Sequence, residues 1–205
     1  MATFIQTTTK CYMGAYDLSS NFRANELSIT AEPQDDTVWG STVRSSAGGL
    51  YAIDFSGEGF YESDGTAKPD DVLTAAQGVA ARLVTYAPTG GADGEPAYSF
   101  GSLQSSYQPF GGSVGDQAAF VVSGVGSGGL WVRGLVDHAK AARTTSGNGT
   151  GRQLGAVGAT QKLYSALHVF AASGTSPTLD VVIQSDDNSG FTTALAKITT
   201  RRRPG

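Results

Sequence analysis

Apolar and polar residues alternate along most of this chain in short stretches broken by Gly, Pro, Asn and Asp, and a period of two is the mark of the β-strand. Leu27, Ile29 and Ala31 fall on one side of a segment whose other side carries Ser28 and Thr30. Tyr51, Ile53 and Phe55 alternate with Ala52, Asp54 and Ser56 in the same way. Each segment therefore reads as a strand with one covered and one less covered face. The same pattern predicts strands over 98–103, 118–123, 130–136, 163–171 and 179–185, with β character also resuming at Val79 and running through 82–86. One helix is expected after Pro69: Asp70 and Asp71 place negative charge in its first turn, Val72, Leu73, Ala75 and Ala76 supply apolar positions, and Gly78 is its stop. The expected class is mainly β with one short flanking helix.

Between the first two strands lies a connection over 32–50, which carries Pro33, Asp35, Asp36, Trp39, Gly40, Gly48 and Gly49. It is too long for a tight hairpin turn, and connections of this length usually have a function. Trp39 either makes contacts from this loop or packs back on the domain, and the residue type alone does not choose. Pro88, Gly90, Gly91, Gly94 and Pro96 mark a second loop. Residues 139–162 are small and polar with no sustained period. The expected organisation is a β domain over 1–138, a linker or arm over 139–160, and a C-terminal β segment over 161–205, too short for an independent domain and able to complete the first.

Composition narrows the picture. Of 205 residues only 16% are charged, against about 25% in soluble proteins generally, and 28 are Gly. A weakly charged surface lowers the desolvation cost of burying subunit flanks against copies of the same chain. The net charge of −4 argues against a reader of nucleic acid, which needs a basic face, but not against a channel through which DNA passes. The one cysteine, Cys11, makes no disulfide framework and is expected as a small, half-buried strand residue. No apolar run reaches the roughly 20 residues of a membrane helix, and residues 1–10 lack the apolar core of a secretion signal, so synthesis and folding are expected in the cytoplasm.

Candidate chemistry is sparse. Gly111-Gly112-Ser113-Val114-Gly115 has the form of a nucleophile elbow, but that motif needs a helix next and a strand is predicted; a turn is the better account. Gly124 to Gly129 has the form G-x-G-x-x-G, again before a strand, and is expected as a hairpin turn. His138 and His168 stand thirty residues apart without further ligands at metal spacing, and His168 is expected inside an apolar strand. Asp186-Asp187-Asn188-Ser189-Gly190 lacks the spacing of a calcium loop and is expected as a turn. Asn148-Gly149-Thr150 is a glycosylation sequon without a secretion signal. Arg201-Arg202-Arg203 is expected in a solvated tail. No catalytic set, metal site or cofactor site is expected, and no enzyme.

Several segments resemble one family in order and spacing. Tyr12-Met13-Gly14-Ala15-Tyr16-Asp17-Leu18-Ser19 followed by Leu27-Ser28-Ile29 is similar to the opening turn and first strand of the major tail tube proteins of long-tailed bacteriophages. Thr37-Val38-Trp39-Gly40-Ser41-Thr42 is similar to their long loop, and Phe55-Ser56-Gly57-Glu58-Gly59-Phe60-Tyr61 to a strand end. Residues 112–120, 132–134 and 163–169 add weaker likeness. The resemblance implies a β-sandwich or barrel that forms hexameric rings, stacked into a tail tube for genome passage, in the virion tail. It implies partners in other copies of itself and in tail terminator, tape measure and baseplate proteins, with non-specific passage of DNA and no membrane. Asp35, Asp36 and Trp39 are then candidates for inter-ring contact, and Asp54 and Glu58 for the lumen, where acidic side chains repel phosphate. Family members usually continue through more strands past a segment like 183–187, so the resemblance leads one to expect a C-terminal segment that is either shortened or an incomplete second sandwich. The competing expectation is a capsid decoration or receptor- or glycan-binding β-sandwich.

Overall fold

A computed structural model describes residues 6–62, 68–155, 158–173, 179–186 and 196–202. The expected mainly β class is found. The elements are β1 (Lys10–Met13), β2 (Tyr16–Asp17), β3 (Phe22–Asp35), β4 (Ser46–Phe60), α1 (Pro69–Ala76), β5 (Arg82–Ala87), β6 (Pro96–Gln108), β7 (Ala119–Leu135), β8 (Leu179–Ser185) and β9 (Ala196–Arg202). Seven strands form one antiparallel sheet in the order β2-β1-β5-β6-β7-β4-β3, and β8 pairs with β9 in a separate two-stranded sheet.

The strand order forces the sheet to curl. β2 and β3 lie at opposite edges, yet only residues 18–21 join them. A flat sheet would hold its outer strands about 29 Å apart at ~4.8 Å per neighbour, whereas that connection spans at most about 18 Å. The two edges therefore come round towards each other as in an open barrel. The connecting segment is bonded to both sides: Leu18 N donates to the Cys11 carbonyl, and Phe60 N donates to the Asn21 carbonyl.

Inside the curl, the odd-numbered residues 53–59 of β4 meet the apolar residues of β1, β5, β6 and β7. Phe55, Phe100 and Tyr86 form a chain of tilted rings with centroids 5.6 and 5.9 Å apart. The helix closes this core with Val72, Leu73 and Ala76, all buried. Its backbone is tied to β6 by buried Gln104, whose Nε2 donates to the Leu73 carbonyl at 2.7 Å. Cys11 is a strand residue as expected but is fully rather than half buried, because β1 turns it into the core, and this burial pushes its thiol up to about 12. Gly57, Gly59 and Gly124 face the core because aromatic rings occupy the space of a side chain. A Cβ at Gly57 would stand 2.1 Å from the Phe22 ring, and one at Gly124 2.5 Å from Phe55.

Four expectations require correction. The connection predicted over 32–50 is strand over nearly half its length: Pro33, Gln34 and Asp35 pair with Gly48, Ala47 and Ser46, leaving 36–45 as loop. Backbone pairing does not depend on alternation, and Pro33 is tolerated because β3 is an edge strand and the proline follows a register shift. The glycines 124–129 are not a hairpin turn but part of one continuous strand, β7, which replaces the two strands predicted there. Ser102 pairs with Gly126 and Phe100 with Trp131, so one β6 residue faces four on β7, and Gly128 and Gly129 absorb the excess at φ +77° and +66°. Residues 163–171 form no strand. Arg201 and Arg202 belong to β9, paired with Asp180 and Leu179, and not to a tail.

Elsewhere the strands lie close to expectation, with β5 starting at Arg82, β6 extending to Gln108 and β8 found at 179–185. Residues 111–116 form a turn, closed by Asp116 N donating to the Ser113 carbonyl. The turn expected over 186–190 falls largely outside the described residues.

Candidate functional site

The β3–β4 hairpin outgrows the barrel. β4 pairs with β7 only from Asp54 to Phe60, while its pairing with β3 continues to Ser46. The upper part of β4, 46–53, projects past that point by roughly 27 Å at ~3.4 Å per residue. Its tip is locally organised. Thr37 N donates to Asp35 Oδ1 at 2.9 Å, Ser45 N donates to Thr37 Oγ1 at 3.0 Å, and Asp36 N donates to the Ser45 carbonyl at 3.2 Å. The Thr37 contacts hold the Asp35 carboxyl below the usual range. Beyond them, Ser41 N donates to the Val38 carbonyl, and Gly40 lies at φ +94°, as the third position of a type II turn requires. That turn puts Trp39 at its second position with 105% of its surface exposed, flanked by exposed Val38 and Val43. Asp35, Asp36 and Trp39 thus share one projecting tip.

Asp54 and Glu58 stand on the outer face of the barrel wall. Strand alternation puts them on β4 with Ser56, opposite core residues Phe55, Gly57 and Gly59. Register adds Ser28 beside Asp54, Glu26 beside Ser56 and Ser123 across from Ser56. Glu26, Ser28, Asp54, Ser56, Ser105 and Ser123 line a shallow groove of about 310 Å³. Glu58 is half-buried and ion-paired with Arg23, so Asp54 and Glu26 carry the groove's negative charge. The wall is polar, hydroxyl-rich and acidic. Among the described residues, no three His, Cys, Asp or Glu side chains come together as a metal site, and Ser113 sits in an exposed turn with no helix after it.

A third surface escaped sequence reasoning. At the barrel end opposite the hairpin tip, where β4 and β6 finish and β7 begins, Phe60, Tyr61, Phe110 and Val114 are exposed. Phe110 is 67% exposed, and Tyr61 packs against it edge-on with centroids 6.3 Å apart. Tyr107 donates from its hydroxyl to Asp70 Oδ1 at 2.9 Å, tying this end to α1; burial, with Asp70 beside it, raises the Tyr107 pKa. The available signal was an aromatic residue, Phe110, set beside the glycine-rich turn. A further aromatic pair, Tyr51 stacked on Trp131 at 5.9 Å, lines the cleft where β4 parts from β7.

The sequence matches no family model and no curated protein. Solved structures do match the fold. A chain from the virion of a native gene transfer agent particle superposes with a TM-score of 0.53 at 16% identity, covering 64% of this chain and 99% of that one. A chain from the sheath/tube terminator of an extracellular contractile injection system, PVC, in its extended state gives 0.52 at 11% identity, covering 65% and 98%. At such identities the likeness is one of fold alone.

Proposed function

We propose that this chain is a structural subunit of a phage-type tail. It assembles as hexameric rings that stack into a tube, it sits in the virion tail after synthesis in the host cytoplasm, and it has no enzymatic role. The observation that carries the proposal is the placement of exposed apolar groups at opposite ends of the barrel: Val38, Trp39 and Val43 on the hairpin tip, Phe60, Tyr61, Phe110 and Val114 at the other end. A subunit with unlike sticky ends associates head to tail, and such contacts propagate without closing along the stacking axis. The fold shared with a gene transfer agent virion chain and a sheath/tube terminator chain supports the same reading.

Within a ring, the β3 edge offers unpaired backbone groups to a neighbouring copy. The wall bearing Glu26, Asp54 and Glu58 then lines the lumen, where like charge keeps the phosphate backbone from adhering as DNA passes. Tail terminator, tape measure and baseplate proteins are the further partners of such a tube.

Electron microscopy of the purified protein tests the proposal. Rings or tubes about 100 Å wide are expected, as for a ring of domains of this size. A strictly monomeric protein at high concentration that binds capsid or glycan would instead point to a decoration or receptor-binding module. A second test addresses the lumen. Tubes of the Glu26→Lys, Asp54→Lys double variant should retain DNA that wild-type tubes release; equal retention would remove these residues from the lumen.

A further inference from the structure

Residues 161–173 have no strand pairing, yet His168 is fixed by both ring nitrogens. Its Nδ1 lies 2.7 Å from the Gly14 carbonyl in the β1–β2 turn, and its Nε2 lies 2.8 Å from Thr85 Oγ1 on β5. A carbonyl only accepts, so Nδ1 carries the proton; in the neutral ring, Nε2 then accepts from the Thr85 hydroxyl, which accepts in turn from Ser99 Oγ at 2.9 Å. Phe170 lies nearly parallel to the imidazole at 6.2 Å, and Tyr12 packs on both rings at 5.7 and 5.1 Å. Together these contacts cover the outer wall of the barrel at β1 and β5.

We propose that residues 161–173 form a releasable strap pinned by His168, which covers the β1–β5 wall at neutral pH and lets go in mild acid. The charges around the pin oppose a second cation. Arg82 lies over the Tyr16 ring, with its guanidinium beside Gly14, and Lys140 stands 5.0 Å above the Phe170 ring. Lys10 lies on β1 two residues from Tyr12, and the strap itself carries Lys162. The nearby acid is Asp17, already bonded to Lys140 Nζ at 2.6 Å and to Ser19. Burial raises that carboxyl, but the Lys140 and Ser19 bonds outweigh it and hold it low, so it stays ionised and engaged in mild acid.

Burial lowers the His168 pKa from its ordinary 6.5, although the bond to Gly14 works the other way. The docked strap therefore binds fewer protons than the free one, and its stability is present above 6.5 and lost as pH falls below it. Release exposes Tyr12, Thr85 and Ser99. The inference stands independently of the tube proposal, because it concerns one subunit in solution.

Protection of the Tyr12 and Phe170 ring protons from a soluble paramagnetic probe in the full chain, compared at about pH 7.5 and about pH 5, tests it, because those rings are in contact only while the strap is docked. The docking equilibrium behind the wild-type protection should fall by up to about tenfold per pH unit below the histidine's ordinary value. His168→Ala should be unprotected at both, and His138→Gln should behave as wild type. NMR titration of the wild type gives a second measure, with His168 expected below 6.5. Protection that ignores pH, a step that survives in His168→Ala, or an unshifted His168 would each overturn the strap.

Discussion

The two halves of the β3–β4 hairpin share their strands and a nearly continuous register but little else. In the lower half, β4 is flanked by β3 and β7, and Phe55 joins the core while Leu27 packs against it. In the upper half the same strand has lost β7, and Leu50 and Tyr51 are exposed. Pairing alone thus extends a hairpin well beyond the point where packing supports it. The difference separates what stabilises the subunit from what is free to bind another.

That separation can be tested by substitution, beginning in the lower half. Phe55→Ala empties the centre of the ring chain and should cost about 3–5 kcal/mol in chemical denaturation; a loss under about 1 kcal/mol would show that the curl does not depend on this core. Gly57→Val drives a side chain into the Phe22 ring and should cost about 1–3 kcal/mol, moving the denaturation midpoint in the same direction. Arg23→Ala removes a surface partner of Glu58, and with both side chains in contact with solvent the expected change is below about 1 kcal/mol.

Trp39→Ser, in the upper half, should leave stability within about 0.5 kcal/mol while abolishing long tubes in micrographs. If the variant polymerises normally, the tip does not join rings; if it unfolds, the two halves are not energetically separate.

The candidate surfaces were legible to different degrees. Asp35, Asp36 and Trp39 could be grouped from the sequence because they lie within a few residues in a stretch dense in turn formers. Asp54 and Glu58 could be put on one face by strand alternation, but Glu26, Ser105 and Ser123 joined them only through pairing with β3, β6 and β7. Phe110 and Val114 were invisible as an end surface, since only the sheet register shows that they lie opposite the hairpin tip. His168 was misassigned to a strand because its neighbours are apolar; in the fold they have no partner strand, and the imidazole bonds to groups 154 and 83 residues away.

By itself the sequence determined the mainly β class, the position of α1 and the turn over 111–116. These follow from local rules: a period of two, a proline and acids at a helix start, glycine and asparagine where the chain reverses. Tertiary structure decided what those rules leave equal. A glycine-rich stretch serves a hairpin turn or a bulge equally well, because both need positive φ, and only the β6 and β4 partners of β7 made 124–129 part of a single strand. Likewise, how much of the β3–β4 hairpin is packed depends on where its third partner, β7, departs, and that is set by how the whole sheet closes on its core.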